Sequence, residues 1–313
     1  MKRFFKITGY LIGLLLLVLF CFVIYVQLHG IPTYEPQAVM LKVDVTEERI
    51  GNGMRIATMQ CIQCHANQEN ILTGRYLKEL PKEFGKIYSR NITHDTITGI
   101  GKWTDGDLYS FLRTGIRADG SYSPPYMPKF PLMADEDLKD IIAWLRSDSF
   151  GLVANQSEPP ESEPSLLIKV LTNTIIKPRS FNEQPIGRPD TLDMIKLGEY
   201  YANGVAGCFN CHSADLTKVN DLNPSESKGY YGGGSVFTDT EGNPVVSKNI
   251  TFDQTGIAHY SEEDFIKAVK FGQKPDGTSF RYPMVPHMAL TTREVKSIYA
   301  FLKTVPPIKN QIP

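Results

Sequence analysis

Apolar residues along the chain form one long run near the amino terminus and several short periodic segments. Residues 7–28 are almost entirely apolar and follow three basic residues, Lys2, Arg3 and Lys6. About 20 apolar residues span the hydrocarbon core of a bilayer, and the residues after the run make a poor small-residue cleavage site. The pattern predicts an uncleaved transmembrane anchor at 7–28 behind a cytoplasmic terminus at 1–6.

The basic residues also predict which way the anchor points. Lys and Arg are retained on the cytoplasmic side of a membrane, so everything after the anchor is expected on the far side. Residues 29–45, with Pro32 and Pro36, indicate an extended spacer. Cys21 lies inside the apolar run and is expected to behave as a buried or lipid-facing apolar residue.

Beyond the spacer, two parts of the chain repeat each other. NITHDTITGIGKW at 91–103 matches NITFDQTGIAHY at 249–260 with a single gap. A Thr-x-x-Asp at 104–107 and a Ser-x-x-Asp at 261–264 follow, both with the spacing of a capping box that opens a helix. These helices are predicted to end at the first glycine of GIRADG and of GQKPDG.

Further helices are predicted at both ends of each repeat. Thr46 and the two acids after it indicate a helix start, and Gly51 and Gly198 stand at matching positions, ten residues before a cysteine. Trp144 aligns with Phe301 in a final helix whose apolar residues recur three and four positions apart. Those residues are Leu138, Ile141, Ile142 and Leu145 in the first repeat, and Val295, Ile298, Tyr299 and Leu302 in the second.

The repeat predicts an all-α chain with two tandem domains, at 46–150 and 191–306, followed by a tail at 307–313. The proline-rich residues 151–190 between them have the composition of a linker. Within that linker, Leu166–Ile176 is apolar enough to form a short helix that packs on one of the domains, and it is too short to span a membrane.

The cysteine motifs indicate which cofactor the chain binds. CIQCH at 61–65 and CFNCH at 208–212 use four of the five cysteines. C-x-x-C-H is the attachment motif of a c-type haem: two thiols on one helical turn bond the haem vinyl groups, and the histidine binds the iron. A disulfide, a zinc site or a redox pair would not explain a histidine in the same place twice. The sequence predicts two covalently bound haem c groups, held by Cys61, Cys64, Cys208 and Cys211, with His65 and His212 on the irons.

A sixth iron ligand is predicted from the repeat. Met127 and Met284 each lie seven residues after an Asp-Gly pair, in proline-rich loops that would hold the thioether in place. Met133 and Met288 do not align with each other, and neither do the three remaining candidates, His94, His259 and His287. A His–His site stays open as the alternative.

Two other features are interpreted as structural. Asn91 and Asn249 open N-I-T triplets that match the N-glycosylation pattern, and we expect them to hydrogen-bond a loop near a haem edge. Gly232, Gly233 and Gly234 lack the flanking strand and GK[ST] of a phosphate loop, which favours a flexible loop beside the second haem. The formal net charge of −1 gives no indication of nucleic-acid binding.

This pattern of motifs resembles the bacterial class I cytochrome c superfamily. More narrowly, it is similar to the cytochrome c subunits of membrane-bound alcohol, gluconate and sorbitol dehydrogenases. The resemblance implies an all-α fold, electron transfer as the activity, and the ligand pairs His65–Met127 and His212–Met284. Those subunits usually carry three haems and an anchor near the carboxyl end, which leaves the particular dehydrogenase partner open.

The sequence therefore predicts a single-pass, membrane-anchored dihaem cytochrome c on the periplasmic side of the bacterial cytoplasmic membrane. It would pass single electrons from a dehydrogenase to a respiratory acceptor, such as a terminal oxidase or a small cytochrome, and it would have no catalytic residues of its own. Two alternatives remain: a dihaem enzyme of the thiosulfate dehydrogenase or peroxidase type, and a tethered subunit of a terminal oxidase.

Overall fold

The computed structural model describes residues 1–182, 184–239 and 241–312. Residue 183 of the predicted linker and residue 313 of the predicted tail lie outside the described residues. The chain is mostly helical. Its α-helices are α1 Lys2–His29, α2 Glu47–Gln60, α3 Ile62–His65, α4 Asp105–Thr114, α5 Asp135–Leu145, α6 Leu166–Thr174, α7 Met194–Glu199, α8 Cys208–His212, α9 Glu262–Phe271 and α10 Thr292–Leu302.

Shorter elements connect these helices. Turns of 3-10 helix lie at Lys82–Phe84, Leu216–Lys218 and Pro224–Glu226, and a π-helical segment at Tyr200–Val205. Strands β1 Gly85–Lys86 and β2 Glu163–Pro164 pair antiparallel, as do β3 Val236–Thr238 and β4 Pro244–Val246. The two small sheets tie loops together, and the predicted all-α class does not include them.

Among the residues that the structure describes, α1 is the one helix that is long and apolar enough to cross a membrane. Its 28 residues extend about 42 Å at 1.5 Å per residue, and Val26 is its one buried residue. A signal sequence near an amino terminus would pass the same test of length and composition as α1.

The first repeat is built around the crossing of α2 and α5. Gly53 permits close contact, because a Cβ there would lie 1.9 Å from the carbonyl oxygen of Asp140 and 2.9 Å from the Cβ of Trp144. The predicted helix signals are present: Thr46 Oγ1 accepts a hydrogen bond from Arg49 N, and Thr104 with Asp107 forms a capping box. The apolar face of α5 is buried in the core of this repeat.

The second repeat uses the same arrangement with α7 and α10. A Cβ on Gly198 would lie 1.8 Å from the Ser297 carbonyl oxygen and 2.8 Å from the Cβ of Phe301. The predicted capping box of Ser261 and Asp264 begins α9, which ends at Gly272 in the left-handed conformation. The apolar residues of α10 form the centre of a second hydrophobic cluster.

The structure corrects one predicted equivalence. Gly198 corresponds in its packing to Gly53 and not to Gly51, which is exposed and where a Cβ would meet nothing within 4 Å. The second repeat therefore has two more residues between this glycine and its first haem cysteine. The wider π-helical turn at Tyr200–Val205 and the left-handed Gly207 (φ 64°) accommodate them.

The predicted linker runs along the surface of the first repeat. β2 pairs with β1, the Ile186 carbonyl accepts a hydrogen bond from Asp135 N (2.8 Å), and Arg188 forms ion pairs with Asp137 and Asp140 (2.6 Å each). The apolar segment forms α6 as predicted, and α6 contacts both the 3-10 turn at Lys82–Phe84 and the end of α1. The sequence pattern predicted that this helix packs on one of the domains, and it did not predict the contact with α1.

Candidate functional site

The first C-x-x-C-H motif begins where α2 ends. Cys61 closes α2 and precedes the single turn α3, in which His65 N donates a hydrogen bond to the Cys61 carbonyl oxygen at 3.0 Å. In the second motif, Cys208 to His212 form the whole of α8. None of the four motif cysteines takes part in a disulfide. One helical turn thus carries two thiols and an imidazole in each repeat, as covalent haem attachment requires.

The two motif histidines are oriented in the same way. His65 Nδ1 donates to the Arg90 carbonyl oxygen at 2.7 Å, and His212 Nδ1 donates to the Lys248 carbonyl oxygen at 2.8 Å. Among the described residues neither Nε2 has a hydrogen-bond partner. Burial lowers the pKa of both imidazoles. Each histidine is therefore held as a neutral imidazole with a free Nε2, the form that binds a metal.

Asn91 and Asn249 fix the backbone that receives these hydrogen bonds. Each follows the accepting carbonyl directly, and both side chains are buried (3% exposed). Asn91 Nδ2 donates to the Asn155 carbonyl oxygen, and Asn249 Nδ2 donates to the Ile308 carbonyl oxygen, both at 2.7 Å. The interpretation of these asparagines as part of the repeat's structure agrees with this geometry, which leaves neither amide accessible for glycosylation.

A pair of glycines completes the support of each histidine. Gly74 N donates to the His65 carbonyl oxygen at 2.8 Å, and Gly233 N donates to the His212 carbonyl oxygen at 2.7 Å. Both glycines have positive φ, 93° and 68°. A Cβ would lie 2.2 Å from the Ser89 carbonyl oxygen in the first case and 2.6 Å from that of Ser247 in the second. Gly233 was expected in a flexible loop, and it makes this defined contact instead.

The two predicted methionine ligands lie in matching loops. Both are partly buried, and Met127 packs against the first hydrophobic cluster. Each loop turns tightly before the sulfur: Met127 N donates to the Pro124 carbonyl oxygen at 3.1 Å, and Met284 N donates to that of Arg281 at 3.0 Å. Of the competitors, Met133 is fully buried in the core and Met288 is 68% exposed.

The two methionine loops differ in how they are held. Lys129 Nζ donates to the carbonyl oxygens of Pro124 and of Met127, at 2.8 and 2.7 Å, and burial lowers its pKa well below the ordinary value. Pro286 takes the place of Lys129 in the second loop: a Cβ on Gly115 would meet Lys129, and one on Gly272 would meet Pro286. A partly buried lysine side chain therefore supports the first loop, and a proline stands at the matching place in the second.

His287 is the most distinctive polar group of the second loop. Its backbone N donates to the Val269 carbonyl oxygen, as that of Phe130 does to Leu112 in the first repeat. The Nδ1 atom of His287 is buried without a hydrogen-bond partner, and burial, followed by the charge of His212, lowers the pKa of His287. His287 thus carries a buried ring nitrogen, three residues after Met284, that accepts or donates no hydrogen bond among the described residues.

The other two histidine candidates have no such position. His94 Nε2 is hydrogen-bonded to the Leu145 carbonyl oxygen at 2.8 Å, and exposed His259 stacks edge-on with Tyr260. The described residues also contain no group of three His, Cys, Asp or Glu side chains that could hold a metal ion by themselves. Cysteines outside any disulfide and imidazoles oriented by a backbone carbonyl fit a covalently attached haem c in both repeats.

The segments that precede the two C-x-x-C-H motifs contact each other between the repeats. Gln60 Nε2 donates to the Val205 carbonyl oxygen at 2.8 Å, which joins the segments that lead into Cys61 and Cys208. Nearby, Arg55 pairs with Glu294 through two hydrogen bonds of 3.0 and 3.1 Å. These bonds join helix α2 of the first repeat to helix α10 and the π-helical segment of the second.

Several of these residues were missed by the sequence-based predictions. The carbonyls that orient the histidines belong to Arg90 and Lys248, whose side chains carry no information about that role. Gly74 and Gly233 lie nine and 21 residues after their histidines, so a fixed-spacing comparison does not align them. The sequence signal that could have located these two carbonyls is the N-I-T triplet, which begins at the residue after each of them.

Comparison with known proteins places this geometry in a class. Residues 48–145 match the family described as cytochrome c oxidase, cbb3-type, subunit III. The match supports a cytochrome c domain in this part of the chain, and domains of that class hold covalently bound haem c and transfer electrons. The predicted resemblance to cytochrome c subunits of dehydrogenases is confirmed, at low sequence identity.

Three relatives define that resemblance. The chain is 26% identical over 286 residues to the cytochrome c subunit of alcohol dehydrogenase (quinone) from Gluconobacter oxydans, covering 85% of this chain and 56% of the relative. It is 27% identical over 271 residues to the fructose dehydrogenase cytochrome subunit of Gluconobacter japonicus, covering 82% and 52%. It is also 27% identical over 269 residues to a diheme cytochrome c-type protein of Cereibacter sphaeroides, covering 80% and 83%. The chain spans about half the length of the dehydrogenase subunits.

Proposed function

We propose that this protein is a membrane-anchored dihaem cytochrome c that passes single electrons from a dehydrogenase to a respiratory acceptor. The observation that carries the proposal is the matched pair of C-x-x-C-H turns, each with its histidine Nδ1 donating to the carbonyl that precedes an N-I-T triplet. Two full repeats of this support indicate two haems, and the division into domains at 46–150 and 191–306 follows from them.

In this proposal Cys61 and Cys64 hold one haem and Cys208 and Cys211 the other. Each haem supplies one-electron iron chemistry when bound. His65 and His212 would supply an unprotonated Nε2 to the iron, because Nδ1–H is hydrogen-bonded to a carbonyl oxygen. Met127 and Met284 would supply the second ligand of each iron, and a methionine ligand together with a histidine would raise the reduction potential.

The contact between the repeats supports electron transfer within one chain. The Gln60–Val205 hydrogen bond holds together the two segments that enter the haem motifs. Because both ends of this bond lie within three residues of a haem cysteine, the two haems would sit at neighbouring positions in one protein. The protein then contributes a fixed separation, and the reaction needs no group that acts as an acid, base or nucleophile.

For the location, we propose that α1 anchors the chain with the haem-binding repeats on the periplasmic side. The three basic residues before residue 7 support this orientation. A periplasm-dependent reporter fused after residue 313 should be active. Release of the protein from membranes by high salt, or a mature terminus that begins after residue 30, would contradict the uncleaved anchor.

A second candidate is a tethered cytochrome subunit of a terminal oxidase. The match of residues 48–145 to a family described as a cytochrome c oxidase subunit favours it. Deletion of the gene, with complementation as control, separates the two candidates by oxygen uptake of isolated membranes. A dehydrogenase subunit should be needed only with one oxidisable substrate, such as an alcohol, fructose or gluconate, and an oxidase subunit with every electron donor. Uptake that is unchanged with all donors would contradict both.

A further inference from the structure

Helix α6 lies beside the end of α1 that leaves the apolar run. Lys169 Nζ donates to Gln27 Oε1 at 3.2 Å, and Asn173 Nδ2 donates to the Gly30 carbonyl oxygen at 2.9 Å. Val26, the one fully buried residue of α1, is at the same level. The two helices are therefore joined where the anchor ends and the extended chain begins.

The two faces of α6 have different surroundings. Ile168 and Thr172 point inward and are 2% and 0% exposed. Leu166 and Leu167, which point away from these two buried residues at about 100° per residue, are 42% and 46% exposed. Ile175, just after the helix, is 77% exposed and extends the apolar surface at that end. A helix of nine residues thus presents an apolar side that the described residues do not cover.

The length of the anchor sets the level of this apolar side. If the basic residues before Ile7 lie among the lipid headgroups, about 20 further residues cross the hydrocarbon core. The far edge of the core then falls near Val26 and Gln27. These are the residues at the level of α6, so the exposed apolar side chains of α6 lie at the boundary between hydrocarbon and headgroups.

We propose that α6 is a second membrane contact, a short amphipathic helix that lies in the interfacial layer of the bilayer beside the anchor. The occupant of its apolar side is lipid, because α6 contacts the end of α1, whose exposed apolar side chains would themselves face lipid. The consequence is orientation. α6 is fixed at its start, where Ser165 N donates to the Phe84 carbonyl oxygen at 2.9 Å, so the first repeat would be held to the membrane at two points and could not rotate freely about the spacer.

This inference rests on the proposed membrane anchor, and its test separates the two. In the full-length haem protein, Cys21→Ala removes the free thiol of the anchor, and a single cysteine is introduced at Ile175 and spin-labelled. The protein is reconstituted in phosphatidylcholine nanodiscs. Collisions of the label with oxygen, which concentrates in lipid, are compared with collisions with a water-soluble nickel complex. Leu192→Cys, 80% exposed in the second repeat, is the matched control, and Leu16→Cys reports on the anchor.

We expect the label at position 175 to be severalfold more accessible to oxygen, relative to nickel, than the label at 192. Equal ratios at 175 and 192, with a lipid-embedded label at 16, would overturn the interfacial helix and leave the anchor intact. A label at 16 that is exposed to water would overturn both. Protection of position 175 in native membranes but not in lipid nanodiscs would overturn the lipid contact and assign this side of α6 to a partner subunit.

Discussion

The two repeats support the haem histidine in the same way and the methionine loop in different ways. The shared support comes from backbone groups. A carbonyl oxygen accepts a hydrogen bond from Nδ1–H of His65 or His212, and a glycine N–H donates to the carbonyl oxygen of the histidine. The side chains of the two methionine loops differ: Lys129 and Phe130 of the first repeat correspond to Pro286 and His287 of the second. The support of the motif histidine is therefore the same in the two repeats, and the loops that carry the predicted methionine ligands differ in their side chains.

The largest expected effect is loss of one haem at a time. Cys61→Ala with Cys64→Ala should leave one covalent haem, and adding Cys208→Ala with Cys211→Ala should leave none. Because each haem would fill the core of its repeat, each pair should also reduce the helical signal. Intact mass and far-ultraviolet circular dichroism measure these changes, with Cys21→Ala as the control. A wild-type chain with fewer than two haems would contradict the proposal.

The methionines should control potential and ligand access separately in each repeat. Met127→Ala should open the first iron to carbon monoxide and lower its potential by roughly 100 mV or more, because a thioether favours ferrous iron. Met284→Ala should do the same at the second iron with little change at the first. Spectroelectrochemistry of each variant, with and without carbon monoxide, gives both readouts.

His287 provides a further test of the difference between the two methionine loops. In Met284→Ala, its buried Nδ1 should compete for the vacated position, so carbon monoxide should bind the second iron more slowly than the first iron of Met127→Ala. Replacing His287 by phenylalanine, the residue at the matching place in the first repeat, should remove the difference. Equal rates before that replacement would show that His287 does not reach the iron.

The glycine crossings should dominate the stability of both cores. Gly53→Ala and Gly198→Ala place a methyl group against a backbone carbonyl, so each should destabilise its repeat by about 1–3 kcal/mol or more. Gly51→Ala, in the exposed part of α2, should be neutral or stabilising by up to about 1 kcal/mol. Thermal unfolding compares the three, and a Gly51→Ala variant that loses as much stability as Gly53→Ala would contradict the corrected register.

The contact between repeats should contribute less. Burial raises the pKa of Glu294, but the hydrogen bonds from Arg55 and Tyr201 outweigh it, so the pKa is lowered. The pair therefore stabilises the fold above the ordinary carboxyl pKa, and this is lost as pH falls through the lowered value. Glu294→Gln should cost on the order of 1–2 kcal/mol at pH 7 and remove that pH dependence. Glu263→Gln, which breaks an exposed pair with Lys267, should cost close to nothing.

Local spacing accounts for what the sequence predicts well. The capping boxes at Thr104 and Ser261 and the apolar faces of α5 and α10 depend on neighbours within one or two turns, and all are present. Gly51 was aligned wrongly with Gly198 because a π-helical turn changes the count of residues without changing the packing. The packing of α6 on α1 joins segments more than 130 residues apart, and no local pattern encodes it.

The most direct test of the dihaem account is a redox titration of the purified protein with spectra of both haems, repeated under carbon monoxide. Two one-electron transitions are expected, both at potentials above those of bis-histidine haems, and the reduced spectrum should not change with carbon monoxide near neutral pH. If either haem binds carbon monoxide in the unmutated protein, that iron lacks a firm sixth ligand. A dihaem enzyme of the thiosulfate dehydrogenase or peroxidase type would then replace the electron carrier.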